Sequence, residues 1–175
     1  MKSGIIILSE LEGAVRDHVL EIQRRVDPKL ASTVPPHVTI TGSSGMGPIA
    51  VKTSEKDLRA TLEPIAAQTS PMTLQFLPPM QFMQSQVVVL PLDPHGPLRE
   101  LHERIKNSNL PREAPRFAFT PHVTLNLFRE LPAHEVRQLL KLRVTEPVVI
   151  ARIAAYQTVG PIGAKKIVEL DLTGV

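Results

Sequence analysis

Apolar residues recur along the chain with the periods of helices and strands. Spacings of three and four residues predict a helix over residues 9–25, whose apolar face carries Leu11, Val15, Val19, Ile22 and Val26. Asp27-Pro28 ends this helix, because the residue before a proline is disfavoured in helical backbone. Ser54 is a predicted N-cap for a second helix that reaches about Gln68. The same spacing predicts helices over residues 97–107 and 132–141.

Short runs rich in β-branched residues predict the strands between these helices. They cover residues 4–8, 37–41, 72–77, 86–92, 119–128, 147–157 and 166–172. The order of elements in the second half nearly repeats that of the first half. We therefore expect an α+β protein in which residues 1–175 form one domain of two similar lobes, related by duplication. Two antiparallel sheets with flanking helices would surround a central cleft.

One short motif stands in both halves. PPHVTI at residues 35–40 is matched by TPHVTL at residues 120–125. Residues two apart in a strand point to the same face, so His37 lies beside Thr39, and His122 lies beside Thr124. The intervening valines point to the opposite face, where aliphatic side chains suit a core. We expect the two polar pairs to face each other across the groove between the lobes.

Two histidine–threonine pairs on opposite sides of one groove suit phosphoryl transfer. Imidazole titrates near neutrality, so one ring can act as a base while the other donates a proton. Threonine hydroxyls can donate hydrogen bonds to non-bridging phosphate oxygens as charge builds on them. This chemistry requires no metal and no cofactor. We therefore predict His37, Thr39, His122 and Thr124 as catalytic residues.

Other interpretations of the motifs stay open but fit less well. A zinc site usually shows closely spaced histidines with a nearby acid, and neither motif has them. A serine hydrolase of the Gly-x-Ser-x-Gly type is disfavoured because that motif is missing from the chain. The repeat could also be a structural remnant of duplication in a protein that binds a partner.

Composition and charge narrow the class of protein. The chain has 175 residues and no cysteine, which excludes disulfides and thiolate metal ligands and fits a reducing compartment. Its longest early apolar run, residues 5–8, is too short for a signal peptide or a membrane span, so we expect a cytoplasmic monomer that does not bind membranes. The formal net charge of +3 is compatible with an anionic ligand, but the chain contains no strongly basic run.

The paired motifs resemble those of the two-histidine (2H) phosphoesterase superfamily. That superfamily includes bacterial RNA 2′,3′-cyclic phosphodiesterases named 2′-5′ RNA ligases, and its signature is one His-x-Thr/Ser-aliphatic motif in each lobe. The lead-in RFAFTPHVTL also resembles the family, as does VVVLPLDPHGPLRELHERI before it. The resemblance implies a bilobal fold and metal-independent cleavage or ligation at a 2′,5′ or 2′,3′-cyclic phosphodiester. It implies that His37 and His122 are the acid–base pair and that Thr39 and Thr124 hold the phosphate.

The segment after the first motif differs from many ligase-type members. They carry a Phe-Leu-Gly run there, whereas this chain has TGSSGMG. The expected substrate is therefore an RNA with a cyclic phosphate end, a small cyclic nucleotide or another cyclic phosphate. The alternative function is a nucleotide- or RNA-binding module that uses the same cleft without turnover.

Further residues are candidates for contacts to substrate. Phe82, Phe117 and Tyr156 could stack on a base, and Arg116 and Arg129 could bind phosphate. Two weaker candidates are the glycine-rich loop of residues 41–47, which could hold phosphate through backbone N–H groups, and the lysines at 165 and 166, which could reach the cleft rim.

Overall fold

The computed structural model describes residues 3–82, 84–158 and 163–175. Its helices are α1 (Gly13–Val26), α2 (Pro28–Thr33), α3 (Glu55–Gln68), α4 (Pro97–Lys106) and α5 (Ala133–Lys141). Its strands are β1 (Gly4–Glu10), β2 (His37–Thr41), β3 (Met72–Leu74), β4 (Met80–Gln81), β5 (Val88–Pro91), β6 (His122–Thr124), β7 (Val148–Ile150), β8 (Arg152–Thr158) and β9 (Ala164–Asp171). These elements confirm the α+β prediction.

The strands form antiparallel sheets. One has the order β2-β1-β8-β9 and another the order β4-β5-β6, so each sheet carries one of the two motifs. In addition, β3 and β7 form a two-stranded sheet. The chain passes from one sheet to another at Ala151, because β7 pairs with β3 whereas β8 pairs with β1. Both motifs therefore lie at the edges of sheets, in β2 and β6.

One apolar cluster connects the helices to these sheets. It consists mainly of leucine, isoleucine and valine side chains, with contributions from α1, α3, α4 and α5. A second, smaller cluster lies on the other face of the four-stranded sheet and contains Leu8, Ala154 and Tyr156. No helix in the described part of the chain is both long and apolar enough to cross a membrane.

Side chains explain where the elements depart from the sequence prediction. The first helix begins at Gly13 because Ser9 and Glu10 instead pair with β2 and extend β1. Ser54 caps α3 as predicted, by accepting a hydrogen bond from the backbone N–H of Asp57 at 3.1 Å. The predicted strand of residues 119–128 is only three residues long in the structure. Asn126 Oδ1 accepts the hydrogen bond from the backbone N–H of Val88, which a longer strand would use for its own ladder.

Candidate active site between the two motif strands

The two motif strands are neighbours although no ladder joins them. β2 and β6 are edge strands of different sheets, and they pack against each other where the sheets meet. Val38 and Val123 are buried, whereas the flanking histidines and threonines are half-buried. The predicted alternation is therefore confirmed. The histidine–threonine pairs therefore lie on the partly exposed face of each strand, where a ligand could contact both strands.

The two histidines have the same hydrogen bond. His37 Nδ1 lies 2.8 Å from the carbonyl oxygen of Pro35, and His122 Nδ1 lies 2.7 Å from that of Thr120. A carbonyl only accepts, so Nδ1 carries the proton and Nε2 of the neutral ring holds a lone pair. Neither Nε2 has a hydrogen bond to another described residue in the structure. Each ring is thus oriented by its own backbone two residues upstream, with one nitrogen left for chemistry.

Burial holds both rings toward the neutral form, and repulsion from His122 adds to this effect at His37. Burial lowers the pKa of His37, the Pro35 carbonyl opposes this effect, and the charge of His122 lowers the pKa further. Glu10 acts in the opposite direction on His37. Burial also lowers the pKa of His122, against the effect of the Thr120 carbonyl. A bound phosphate would raise both pKa values, because a nearby negative charge favours imidazolium.

The surroundings of the two rings differ. Phe82 meets the His122 ring edge to face, with the ring centroids 4.9 Å apart. His37 instead stands opposite Glu10 in the β1–β2 ladder. Glu10 accepts a hydrogen bond from the hydroxyl of Tyr156 and forms an ion pair with Lys166 at 3.2 Å. Of the predicted secondary residues, Phe82 and Tyr156 thus lie near the motifs.

One buried histidine contacts the first motif and the segment just before the second motif. His102 of α4 is 0% exposed, and its Nδ1 donates to the carbonyl of Ile40 at 2.7 Å. Ile40 is the extra residue where the β1–β2 register shifts, so its carbonyl lies outside the regular ladder. The ring also stacks on Phe119 at 4.0 Å between centroids. His102 therefore fixes the strand after Thr39 and the segment before His122.

Two further polar side chains hold the second motif. Gln23 of α1 donates to the carbonyl of Thr124 at 2.8 Å. Asp27, which is buried between α1 and α2, accepts hydrogen bonds from the backbone N–H groups of Leu127 and Phe128, both at 2.7 Å. These residues were missed by sequence reasoning. Gln23 and His102 carry a detectable signal, because each is a polar residue on the apolar stripe of its helix.

The predicted arginines and lysines lie on other segments of the chain. Arg116 is exposed on the segment that leads to β6. Arg129 binds both carboxylate oxygens of Glu135 at 3.1 Å and the carbonyl of Val26, contacts that disfavour a phosphate-binding role. Lys165 and Lys166 belong to β9 rather than to a loop.

Two backbone N–H groups of the glycine-rich loop already donate hydrogen bonds within the protein. The backbone N–H of Gly42 donates to Met46 and that of Gly45 donates to Phe117, which leaves these two groups unable to hold a phosphate. Among the described residues, no group of three or more histidine, aspartate or glutamate side chains has an arrangement that could hold a metal ion.

Comparisons with known proteins identify the family. The profile of the 2′-5′ RNA ligase superfamily matches residues 11–160. The chain belongs to this superfamily. A Geobacillus thermodenitrificans protein with the provisional name of phosphoesterase is 29% identical over 136 residues, which cover 77% of this chain and 73% of that protein. A Bacillus licheniformis protein with a similar provisional name is 28% identical over 126 residues, which cover 71% of this chain and 70% of that protein.

Solved structures with the same fold share the architecture over the full length. Escherichia coli LigT in apo form superposes with a TM-score of 0.60 at 16% identity, with 98% of both chains covered. LigT complexed with 3′-AMP gives the same TM-score, identity and coverage. The protein TT0787 of Thermus thermophilus gives a TM-score of 0.65 at 14% identity, with 99% of both chains covered. At these identities the likeness establishes the fold.

Proposed function

We propose that the protein hydrolyses a 2′,3′-cyclic phosphate on RNA ends or nucleotides, without a metal, by acid–base catalysis between His37 and His122. The observation that carries the proposal is the matched pair of Nδ1–H···O=C hydrogen bonds, which leave both Nε2 atoms without a hydrogen bond to any other residue that the structure describes. The family membership and the complex of LigT with 3′-AMP support a substrate of this class.

The reaction needs two proton transfers at one phosphorus atom. The Nε2 of one histidine takes a proton from water as its oxygen bonds to phosphorus. The bond from phosphorus to the 2′ or 3′ oxygen breaks, and the other Nε2–H protonates that oxygen. Thr39 and Thr124 donate hydrogen bonds to the non-bridging oxygens, where negative charge grows. The product is a phosphomonoester beside a free hydroxyl. The ligase reaction, 2′-5′ joining, would use the same groups with a hydroxyl in place of water.

Turnover of a 2′,3′-cyclic nucleotide in EDTA tests this mechanism. We expect the wild type to hydrolyse it, and His37→Ala and His122→Ala each to lose about 10²- to 10⁴-fold in kcat. His134→Ala, which removes an exposed histidine on α5, is the matched control and should retain wild-type turnover. Full activity in both active-site variants, or activity abolished by EDTA, would refute the mechanism.

The alternative function is a binding module that uses the same cleft. It is distinguished by tight nucleotide binding with no turnover in the wild type. A bell-shaped dependence of kcat/KM on pH supports catalysis instead, because the reaction needs one neutral and one protonated ring. Both pKa values are lowered in the free protein, so the acidic limb of the kcat/KM profile should lie below the ordinary histidine value of about 6.5.

A further inference from the structure

A groove of about 510 Å³ opens beside the motif strands. Ile6 and Thr158 line it from the four-stranded sheet. The loop after β2 and the segment before β6 contribute the other lining residues, which are Gly42, Ser43, Gly47, Pro48, Glu113, Ala114 and Arg116. Arg116 lines the groove, and its neighbour in sequence, Phe117, is 71% exposed. We refer to these residues together as the side groove. The mechanism above does not use them.

The side groove continues from the face that carries the first motif. The β1–β8 ladder is regular, so Ile6 and Leu8 point to the same face, and Leu8 pairs with Thr39. At the rise of a strand, the two-residue step from Leu8 to Ile6 is roughly 7 Å. The groove therefore begins one same-face position along β1 from the residue that pairs with Thr39, the predicted phosphate-holding threonine.

The groove is also connected to the second motif along the chain. The segment that carries Arg116 and Phe117 runs directly into Thr120, whose carbonyl orients His122. A ligand lying in the groove would thus be flanked by chain segments that lead to both histidines. A substrate held at the histidines could extend into the groove without leaving the protein surface.

Backbone contacts fix the segment that presents Phe117. Gly45 N–H donates to the Phe117 carbonyl at 2.7 Å, and Glu113 N–H donates to the Pro48 carbonyl at 3.0 Å. Thr120 N–H donates to the buried hydroxyl of Ser44 at 2.9 Å. An aromatic ring on a segment held in this way is pre-positioned at little further entropic cost. Its exposure means that the ring is available for stacking on a ligand.

We propose that the side groove binds the nucleotide on the 5′ side of the cyclic phosphate. Phe117 stacks on its base, and Arg116 binds the phosphate that joins it to the terminal nucleotide. A 2′,3′-cyclic phosphate lies at the 3′ end of a strand, so its neighbour can only be on the 5′ side. The inference rests on the proposed function and narrows the substrate to an oligonucleotide end rather than a mononucleotide.

The ratio of two specificity constants tests the proposal. We would measure kcat/KM for the dinucleotide ApA ending in a 2′,3′-cyclic phosphate and for 2′,3′-cyclic AMP. The wild type should prefer the dinucleotide, and Phe117→Ala should lower this preference at least about 5-fold, because stacking on an aromatic side chain favours binding of a base. Arg116→Ala should lower it as well, and more so at low salt.

Matched variants control for loss of surface area and charge. Leu77→Ala removes an exposed apolar side chain elsewhere, and Arg137→Ala removes the same charge from α5. Both should keep the wild-type preference. A wild type that turns over both substrates equally well would overturn the side-groove proposal and leave the proposed function standing.

Binding separates the two proposals if the wild type turns over neither substrate. In that case we would compare the affinities of ApA with a 3′-phosphate and of 3′-AMP, in the wild type and in Phe117→Ala. Tighter binding of the dinucleotide that Phe117→Ala reduces would support the groove without catalysis. Equal affinities for the two ligands would overturn it.

Discussion

Replacing His102 with leucine tests whether one buried ring supports both motifs. The change removes the donor to the Ile40 carbonyl and the stack on Phe119, while most of the side-chain volume remains. A buried acceptor left without its partner costs about 1–3 kcal/mol, and an aromatic pair contributes about 0.5–1.5 kcal/mol. His102 Nε2 itself is buried with no hydrogen-bond partner among the described residues, so its removal offsets part of the loss.

We expect His102→Leu to lower the free energy of unfolding by about 1–3 kcal/mol, a large share of the typical 5–15 kcal/mol. Urea unfolding at pH 8 measures the change. His102→Asn is the matched variant, because its amide nitrogen can take the place of Nδ1 and donate to Ile40. It should be more stable than His102→Leu, although it loses the ring. The same order should hold for kcat, since small displacements of catalytic groups slow reactions strongly.

The dependence of stability on pH gives a second readout. Burial lowers the pKa of His102, against the effect of the Ile40 carbonyl. The unfolded chain then binds more protons than the folded protein, so stability falls as pH drops from about 6.5 toward the folded pKa. His37 and His122 act in the same direction. His102→Leu should therefore make the loss of stability in acid shallower.

Two results together would contradict a supporting role for His102. If His102→Leu unfolded at the wild-type urea concentration with the same m-value, the hydrogen bond to Ile40 would not contribute. If His102→Asn were also no better than His102→Leu in stability or kcat, the donor would not position the motif.

Two further predictions concern single positions near the site. Gly45→Ala should destabilise the protein well beyond the roughly 1–2 kcal/mol of a left-handed backbone, because a methyl group there would overlap His102 Nε2. Gly13→Ala is its control in urea unfolding, with a similar positive φ and nothing within 4 Å, and equal losses would contradict the overlap. Tyr156 is the chain's one tyrosine, and burial and the hydrogen bond to Glu10 raise its pKa to about 12. Ultraviolet titration should show ionisation near that pH in the folded protein and near 10 after unfolding, and a folded-state value near 10 would contradict it.

Sequence patterns predicted the fold class and the motif strands because both depend on local periodicity. Alternation of polar and apolar residues in PHVT placed the histidines and threonines on one face, and the buried valines of the structure agree with it. The ends of elements depend on distant partners instead. The strand around the second motif stops at Thr124 because the side chain of Asn126 bonds Val88, 38 residues away. No local pattern reports such a contact.

The buried hydrogen bonds that support the site could not be predicted from the sequence for the same reason. His102 reaches Ile40 across 62 residues, and Asp27 reaches Leu127 across 100. A histidine on the apolar stripe of α4 indicated a buried polar contact, but its partner followed only from the packing of the helix against β2. Likewise, the positions of the arginines in the sequence could not show that Arg129 forms an ion pair with Glu135, whereas Arg116 lines the side groove.

Acid–base catalysis needs two histidines that behave differently, yet the two motifs are nearly identical in sequence and in their Nδ1 hydrogen bonds. Repulsion between the rings separates the two protonation steps but does not decide which ring keeps the first proton. That decision depends on residues outside the motifs. Glu10 favours the charged form of His37, whereas the ring of Phe82 packs against His122. Residues of β1 and of the segment after β4 would therefore determine which histidine is the acid and which is the base. For this reason a repeated motif can identify the pair of groups but cannot assign their roles.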